Sequence, residues 1–139
     1  MPRLRQIAPG GTGGTAFREV ARVRRTDADV LLANQRYRGA IYLAGYAIEC
    51  LLKWAVTQRR DVVYLPAELE THDWDTLLPE TGLAVRLQAE AAMVGVYTEL
   101  AESWGPELRY LTKDPKPGEA RGLYHKLIEL YDWIDENAL

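Results

Sequence analysis

The stretch from Arg36 to Arg59, RYRGAIYLAGYAIECLLKWAVTQR, constrains this chain more than any other. On a helical wheel Ala40, Ile41, Leu43, Ala44, Ala47, Ile48, Leu51, Leu52, Trp54 and Ala55 cover most of its circumference. A helix that is apolar on nearly every side must be central, with other elements packed around it. Tyr42, Tyr46, Glu49 and Lys53 interrupt that surface at spacings of four, three and four, and so form one polar stripe. Glu49 precedes Lys53 by four residues, the order that favours an intrahelical ion pair. Gly45 costs about 1 kcal/mol relative to alanine inside a helix, so a packing or contact reason is expected for it.

The flanking sequence supplies the cover. A first helix is expected from Thr15, a suitable N-cap, to about Asn34. Phe17, Val20, Ala21, Ala28, Leu31 and Leu32 share its apolar face, and Arg18, Arg22 and Arg25 lie on the opposite side. Arg24 and Asp27 fall beside the apolar arc, three residues apart, and are expected to pair. Beyond a loop with Pro66, Thr71 or Asp73 caps a short helix that Pro79 and Gly82 end. A third long helix is expected over Leu83 to Glu102. A Pro- and Gly-containing connection from Trp104 to Gly118 then carries Arg109 and Tyr110. The last helix, about Glu119 to Asn137, turns Leu123, Tyr124, Leu127, Ile128, Leu130, Tyr131 and Ile134 inward, and Arg121, His125, Glu129 and Asp132 outward. No alternating strand pattern of convincing length and no internal repeat occurs. The expected fold is therefore all-α, an antiparallel bundle of four long helices plus one short one. It forms one domain over 15–139, behind a flexible glycine-containing lead over 1–14.

Composition narrows the chemistry. A chain of 139 residues can bury a core without metal or disulfide support. Its one cysteine, Cys50, cannot form an internal disulfide and suits a reducing compartment. Met1 to Gly14 lacks the apolar core of a signal peptide, and the apolar stretch Ala40 to Val56 is short and interrupted by Glu49 and Lys53. A cytoplasmic protein with no membrane association is expected. The net charge of −3 conceals eight arginines before residue 39, against only Glu19, Asp27 and Asp29. Such a basic end can bind nucleic acid, dock on the acidic face of another copy, or stay solvated. The run Pro9 to Gly14 is no P-loop, because neither a preceding strand nor a Gly-Lys-Ser/Thr sequence accompanies it. Ser103 is the only serine and has no nucleophile-elbow context. His72, His125 and the scattered carboxylates show no metal-ligand spacing, so neither a metal nor another cofactor is expected.

Tyr42-Leu43-Ala44-Gly45-Tyr46-Ala47-Ile48-Glu49-Cys50-Leu51-Leu52-Lys53 resembles the AGYAxExxLK helix of HEPN domains, the higher eukaryotes and prokaryotes nucleotide-binding family. His72-Asp73 resembles the HDL element that follows it there, with Trp74 in place of Leu, and Arg109-Tyr110 resembles the Arg-Tyr before the family's last helix. The three motifs occur in the family's order over about 100 residues, from Ala28 to Trp133. The family contains metal-independent ribonucleases of toxin–antitoxin and phage-defence systems, and non-catalytic members that accompany nucleotidyltransferases. Its ribonucleases carry an Arg, four to six residues and a His near the last helix. Here the nearest match is Arg121-Gly122-Leu123-Tyr124-His125, with three residues between, a departure from that motif.

Three readings follow. In the first, the chain is a HEPN-like homodimer without the ribonuclease motif, which binds nucleotide, RNA or a nucleotidyltransferase partner through Tyr42, Tyr46, Glu49, Lys53, His72, Asp73, Arg109 and Tyr110. In the second, it is a divergent ribonuclease in which Arg121 or Arg109 stabilises phosphate charge and His125 or His72 moves the proton. In the third, it is a helical interaction module without a nucleic-acid role. Each polar residue also has a structural alternative. Glu49 and Lys53 can lock helix packing, His72 can satisfy a local carboxylate, and Arg109 can anchor its loop to Glu49 or Asp73.

Overall fold

A computed structural model describes residues 14–138, so the expected flexible lead over 1–14 lies almost wholly outside the described residues. Six α-helices occur among them: α1 Gly14–Ala33, α2 Tyr37–Arg60, α3 Trp74–Leu77, α4 Ala84–Gln88, α5 Ala91–Ser103 and α6 Pro117–Asn137. Single turns of 3-10 helix at Ala67–Leu69, Leu78–Thr81 and Pro106–Tyr110 complete the elements, and no strand is present among the described residues. The chain is all-α.

The apolar patterning of α2 dictates its place. Ala40, Ala44, Ala47, Ile48, Leu51, Leu52 and Val56 are essentially inaccessible, on a helix packed along its length by α1 and α6. Burying each Leu or Ile side chain contributes about 1.5–3 kcal/mol, which is why the all-round apolar helix takes the centre. By length and composition α2, at 24 residues, is apolar enough to cross a membrane, because it runs past Ala40–Val56 at both ends. Its most apolar window is nevertheless 72% buried, as in the core helix of a soluble protein.

A tight turn joins α1 to α2. Gln35 adopts a left-handed conformation (φ 62°), and the Arg36 amide reaches back to the Leu31 carbonyl at 2.8 Å. That six-residue closure ends α1 and reverses the chain within three residues. Arg24 and Asp27 pair as expected, at 2.6 Å. The arginines opposite the apolar face are not free. Arg18 meets Asp135 at 3.4 Å and lies over Trp54, and Arg25 pairs with Asp132 and lies over Tyr131. Two arginines of the basic end therefore dock onto acidic residues of α6 in this same chain.

The expected helix over Leu83 to Glu102 is instead two helices, α4 and α5, separated at Ala89 and Glu90. Glu90 leaves helical geometry (φ −118°, ψ 89°), and its carboxylate accepts the indole N–H of Trp133 at 2.7 Å. A long-range hydrogen bond to α6 thus outweighs local helix propensity in an alanine-rich segment. The result is three long helices, one of intermediate length and two short ones, in place of four long and one short. The shorter elements between α2 and α6 cover the polar stripe of α2.

A candidate site at the polar stripe of the central helix

Glu49 anchors the site. Its carboxylate is 1% exposed in the middle of α2, and an unpartnered charge there would be very costly. Two groups compensate it. Lys53 Nζ, one turn on, lies 2.9 Å from Oε2, and His72 Nδ1 lies 2.9 Å from Oε1. Phe17 of α1 covers the ammonium with its ring at 5.9 Å. A carboxylate can only accept, so Nδ1 of His72 carries the proton and Nε2 remains an acceptor while the ring is neutral. The His72 side chain is about half exposed. A buried carboxylate therefore orients a histidine that solvent reaches.

Asp73 holds this segment in place as the N-cap of α3. Its carboxylate accepts the Asp75 amide at 3.2 Å and the Thr76 hydroxyl at 2.8 Å, while Thr71 accepts the Asp73 amide at 3.1 Å. Such a cap is worth about 1 kcal/mol, and here it fixes the residue next to His72. Of the two residues expected as the cap, Asp73 is the N-cap, and Thr71 instead accepts the amide of Asp73 itself.

Behind His72 runs a chain of stacked rings. Tyr46 stacks on Tyr42 at 6.5 Å between centroids, Tyr42 on Trp104 at 6.1 Å, and Trp104 on Trp74 at 5.2 Å. Tyr97 continues it, 6.3 Å from Trp74, and donates to Asp75 at 2.8 Å. Burial, then Asp75, pushes the Tyr97 hydroxyl pKa up, and burial holds that of Tyr46 at about 12, so both stay neutral. Gly45 has its contact reason here. A Cβ on it would lie 2.0 Å from Trp104 Nε1, and that indole donates to the Ile41 carbonyl at 3.2 Å. The missing side chain is the slot that admits Trp104.

Trp74 and Trp104 wall a hollow of about 360 Å³, with Thr71, His72, Asp73 and the Gly105–Glu107 turn around it. The indole N–H of Trp74 is buried and has no acceptor among the described residues. The carboxylates of Asp73 and Glu107 can accept hydrogen bonds from the amino groups of a ligand there.

The other expected residues lie elsewhere. Arg109, exposed in the Pro106–Tyr110 turn, contacts neither Glu49 nor Asp73. It lies 5.1 Å over the Tyr110 ring, and Tyr110 first, with a smaller contribution from Tyr42, raises its pKa. Tyr110 itself is exposed. Arg121 lies 5.5 Å over the Tyr37 ring, whereas His125 is exposed and makes no hydrogen bond among the described residues. Neither of the two lines the hollow beside His72. No cluster of three or more His, Cys, Asp or Glu able to hold a metal occurs among the described residues.

Sequence reasoning missed the seating of Trp104 against Gly45 and the part played by Glu107. Glu107 carried no local signal, but Gly45 inside an apolar helix was a signal for a large partner such as Trp104. Compared with known proteins, the chain matches no family model, no curated protein and no solved structure.

Proposed function

We propose that this chain is a HEPN-like helical module that binds a nucleotide or single-stranded RNA without cleaving it, as part of a toxin–antitoxin or defence-type assembly. One observation carries the reading. A histidine oriented by a buried, lysine-compensated carboxylate stands at a hollow bordered by Asp73, Glu107 and two tryptophans. Such a hollow has the means to bond the edge of a base. Of the residues that carry the HEPN resemblance, His72 and Asp73 line the hollow, Glu49 orients His72 and Gly45 admits Trp104, which supports the family reading. A homodimer and a nucleotidyltransferase partner are the companions that resemblance implies.

A second reading is kept because the His72–Glu49 pair has the form of an oriented acid–base group: His72 acts as the proton carrier of a metal-independent ribonuclease. One experiment separates the two. Purified protein is mixed with labelled single-stranded RNA in EDTA, and both binding and cleavage are followed for the wild type, His72→Ala and His125→Ala. The binding reading expects a retained, uncut RNA, weakened by His72→Ala and unaffected by His125→Ala. Cleavage lost in His72→Ala would replace it with the nuclease reading. Cleavage lost only in His125→Ala would move the chemistry to α6. Absence of both binding and cleavage, with a melting temperature unmoved by ATP or GTP, would leave a protein-interaction module.

A further inference from the structure

A second hollow, of about 350 Å³, opens on the far side of Tyr42 between the start of α2 and the segment that follows α5. Three guanidinium groups line it, those of Arg36, Arg38 and Arg109, against one carboxylate, Asp114. Their partners differ in a telling way. Of the six described arginines up to Arg38, five have a carboxylate within 4.0 Å: Arg18, Arg22, Arg24, Arg25 and Arg38. Arg36 has none among the described residues, and neither has Arg109. Asp114 is already engaged, accepting the Arg38 amide at 3.1 Å and lying 3.7 Å from Arg38 Nε. Arg38 is braced further by the Thr112 carbonyl, 2.5 Å from Nη1. The hollow therefore keeps a positive excess, with one arginine fixed by a carboxylate and two that have no carboxylate partner among the described residues.

The geometry points to a phosphate-binding site formed by Arg36, Arg38 and Arg109, which takes the phosphoryl group of a nucleotide or of an RNA strand. Guanidinium groups suit that ligand because their paired N–H donors match two phosphate oxygens at once. The α2 amide at Arg38 is taken by Asp114, so side chains and not the helix end would hold the anion. Tyr42 connects the two hollows. It lines this one, and its other neighbour in the stack, Trp104, walls the His72 hollow. A strand with a phosphate among the arginines thus has its adjacent bases beside a row of rings, with exposed Tyr110 at the rim. This assignment rests on the nucleotide- or RNA-binding reading and adds to it the position of the phosphate.

The test uses the full chain and the double variant Arg36→Gln/Arg109→Gln, with Arg22→Gln as a control that removes equal charge per site from another face. Both target residues are exposed, so folding should be retained, and circular dichroism checks this. The probes are a short fluorescein-labelled uridine oligonucleotide, ADP, and inorganic pyrophosphate. The double variant is expected to bind the oligonucleotide about tenfold more weakly. Its log–log salt slope should be shallower by about 1.4, which is two lost contacts at about 0.7 each for single strands. Arg22→Gln should change neither. ADP protection against melting, lost in the double variant, with no oligonucleotide binding, would assign the site to free nucleotides. Oligonucleotide binding with unchanged affinity and slope in the double variant would overturn the phosphate site while leaving the His72 hollow standing. Pyrophosphate protection that depends on the two arginines, without binding of ADP or oligonucleotide, would uphold an anion site and overturn the nucleotide reading. No response to any probe would overturn both.

Discussion

Two helices of this protein each carry two polar, ionisable residues four apart, and they use them in opposite ways. On α2, Glu49 and Lys53 lie under the Thr71–Trp74 segment and α1, with His72 as the carboxylate's second partner. On α6, Arg121 and His125 stand at the surface, Arg121 over Tyr37 and His125 with no hydrogen-bond partner among the described residues. The spacing is the same. The difference lies in the cover: a buried carboxylate must collect partners, and in doing so it fixes their positions, whereas a solvated pair has water as its partner. A histidine acquires a defined orientation from tertiary structure, not from its place on a helical wheel.

The sharpest way to break the α2 arrangement is Glu49→Ala. It strands Lys53, whose side chain is 12% exposed, and releases His72, so a loss of about 3–5 kcal/mol in unfolding free energy is expected in urea titrations. A loss below about 1 kcal/mol would mean that solvent already compensates the pair.

Gly45→Ala attacks the same region without touching a charge. The new methyl would overlap Trp104, and a destabilisation of about 1–3 kcal/mol is expected, with a change in tryptophan fluorescence as the stack is displaced. An unchanged spectrum and stability would show that Trp104 can move away freely.

His125→Ala sharpens the comparison from the other side. Stability should stay within about 0.5 kcal/mol of wild type, as for an ordinary surface substitution. A larger loss would give His125 a partner in the folded protein.

The last effect vanishes at neutral pH. Burial pushes the Cys50 thiol up to about 12 from its ordinary value near 9.0, and burial likewise pushes Tyr46 up to about 12. Both groups lose protons more readily in the unfolded chain, so the unfolded state binds fewer protons above pH 9 and stability falls as pH rises. The contribution is complete below pH 9 and is lost progressively towards pH 12. Cys50→Ala should flatten the alkaline limb of a stability–pH curve while leaving the region near neutrality flat. An equally steep limb would assign the loss to tyrosines alone.

The site was legible in pieces. Tyr42, Tyr46, Glu49 and Lys53 stood out because a polar stripe on an otherwise apolar helix is visible in sequence, and the Glu49–Lys53 pair forms as its spacing suggested. His72 was visible as a candidate, but not its bond to Glu49, which spans 23 residues of chain. Arg109 was expected to reach Glu49 or Asp73 and instead borders a different hollow with Arg36 and Arg38. The helix expected over Leu83 to Glu102 failed for a related reason, since Trp133 of α6 draws Glu90 out of helical geometry. Local pattern contains no term for a partner that lies far along the chain.

The sequence alone determined that this chain is helical, where α1, α2 and α6 run, and that α2 lies at the centre. Those properties follow from apolar periodicity and end signals, which act within a turn or two of helix. Tertiary structure decided which polar groups are buried, which arginines are paired, and how four rings stack, with a tilted fifth at the end of the row. These outcomes depend on desolvation and on contacts between distant segments, and both come into being only when the helices close on one another.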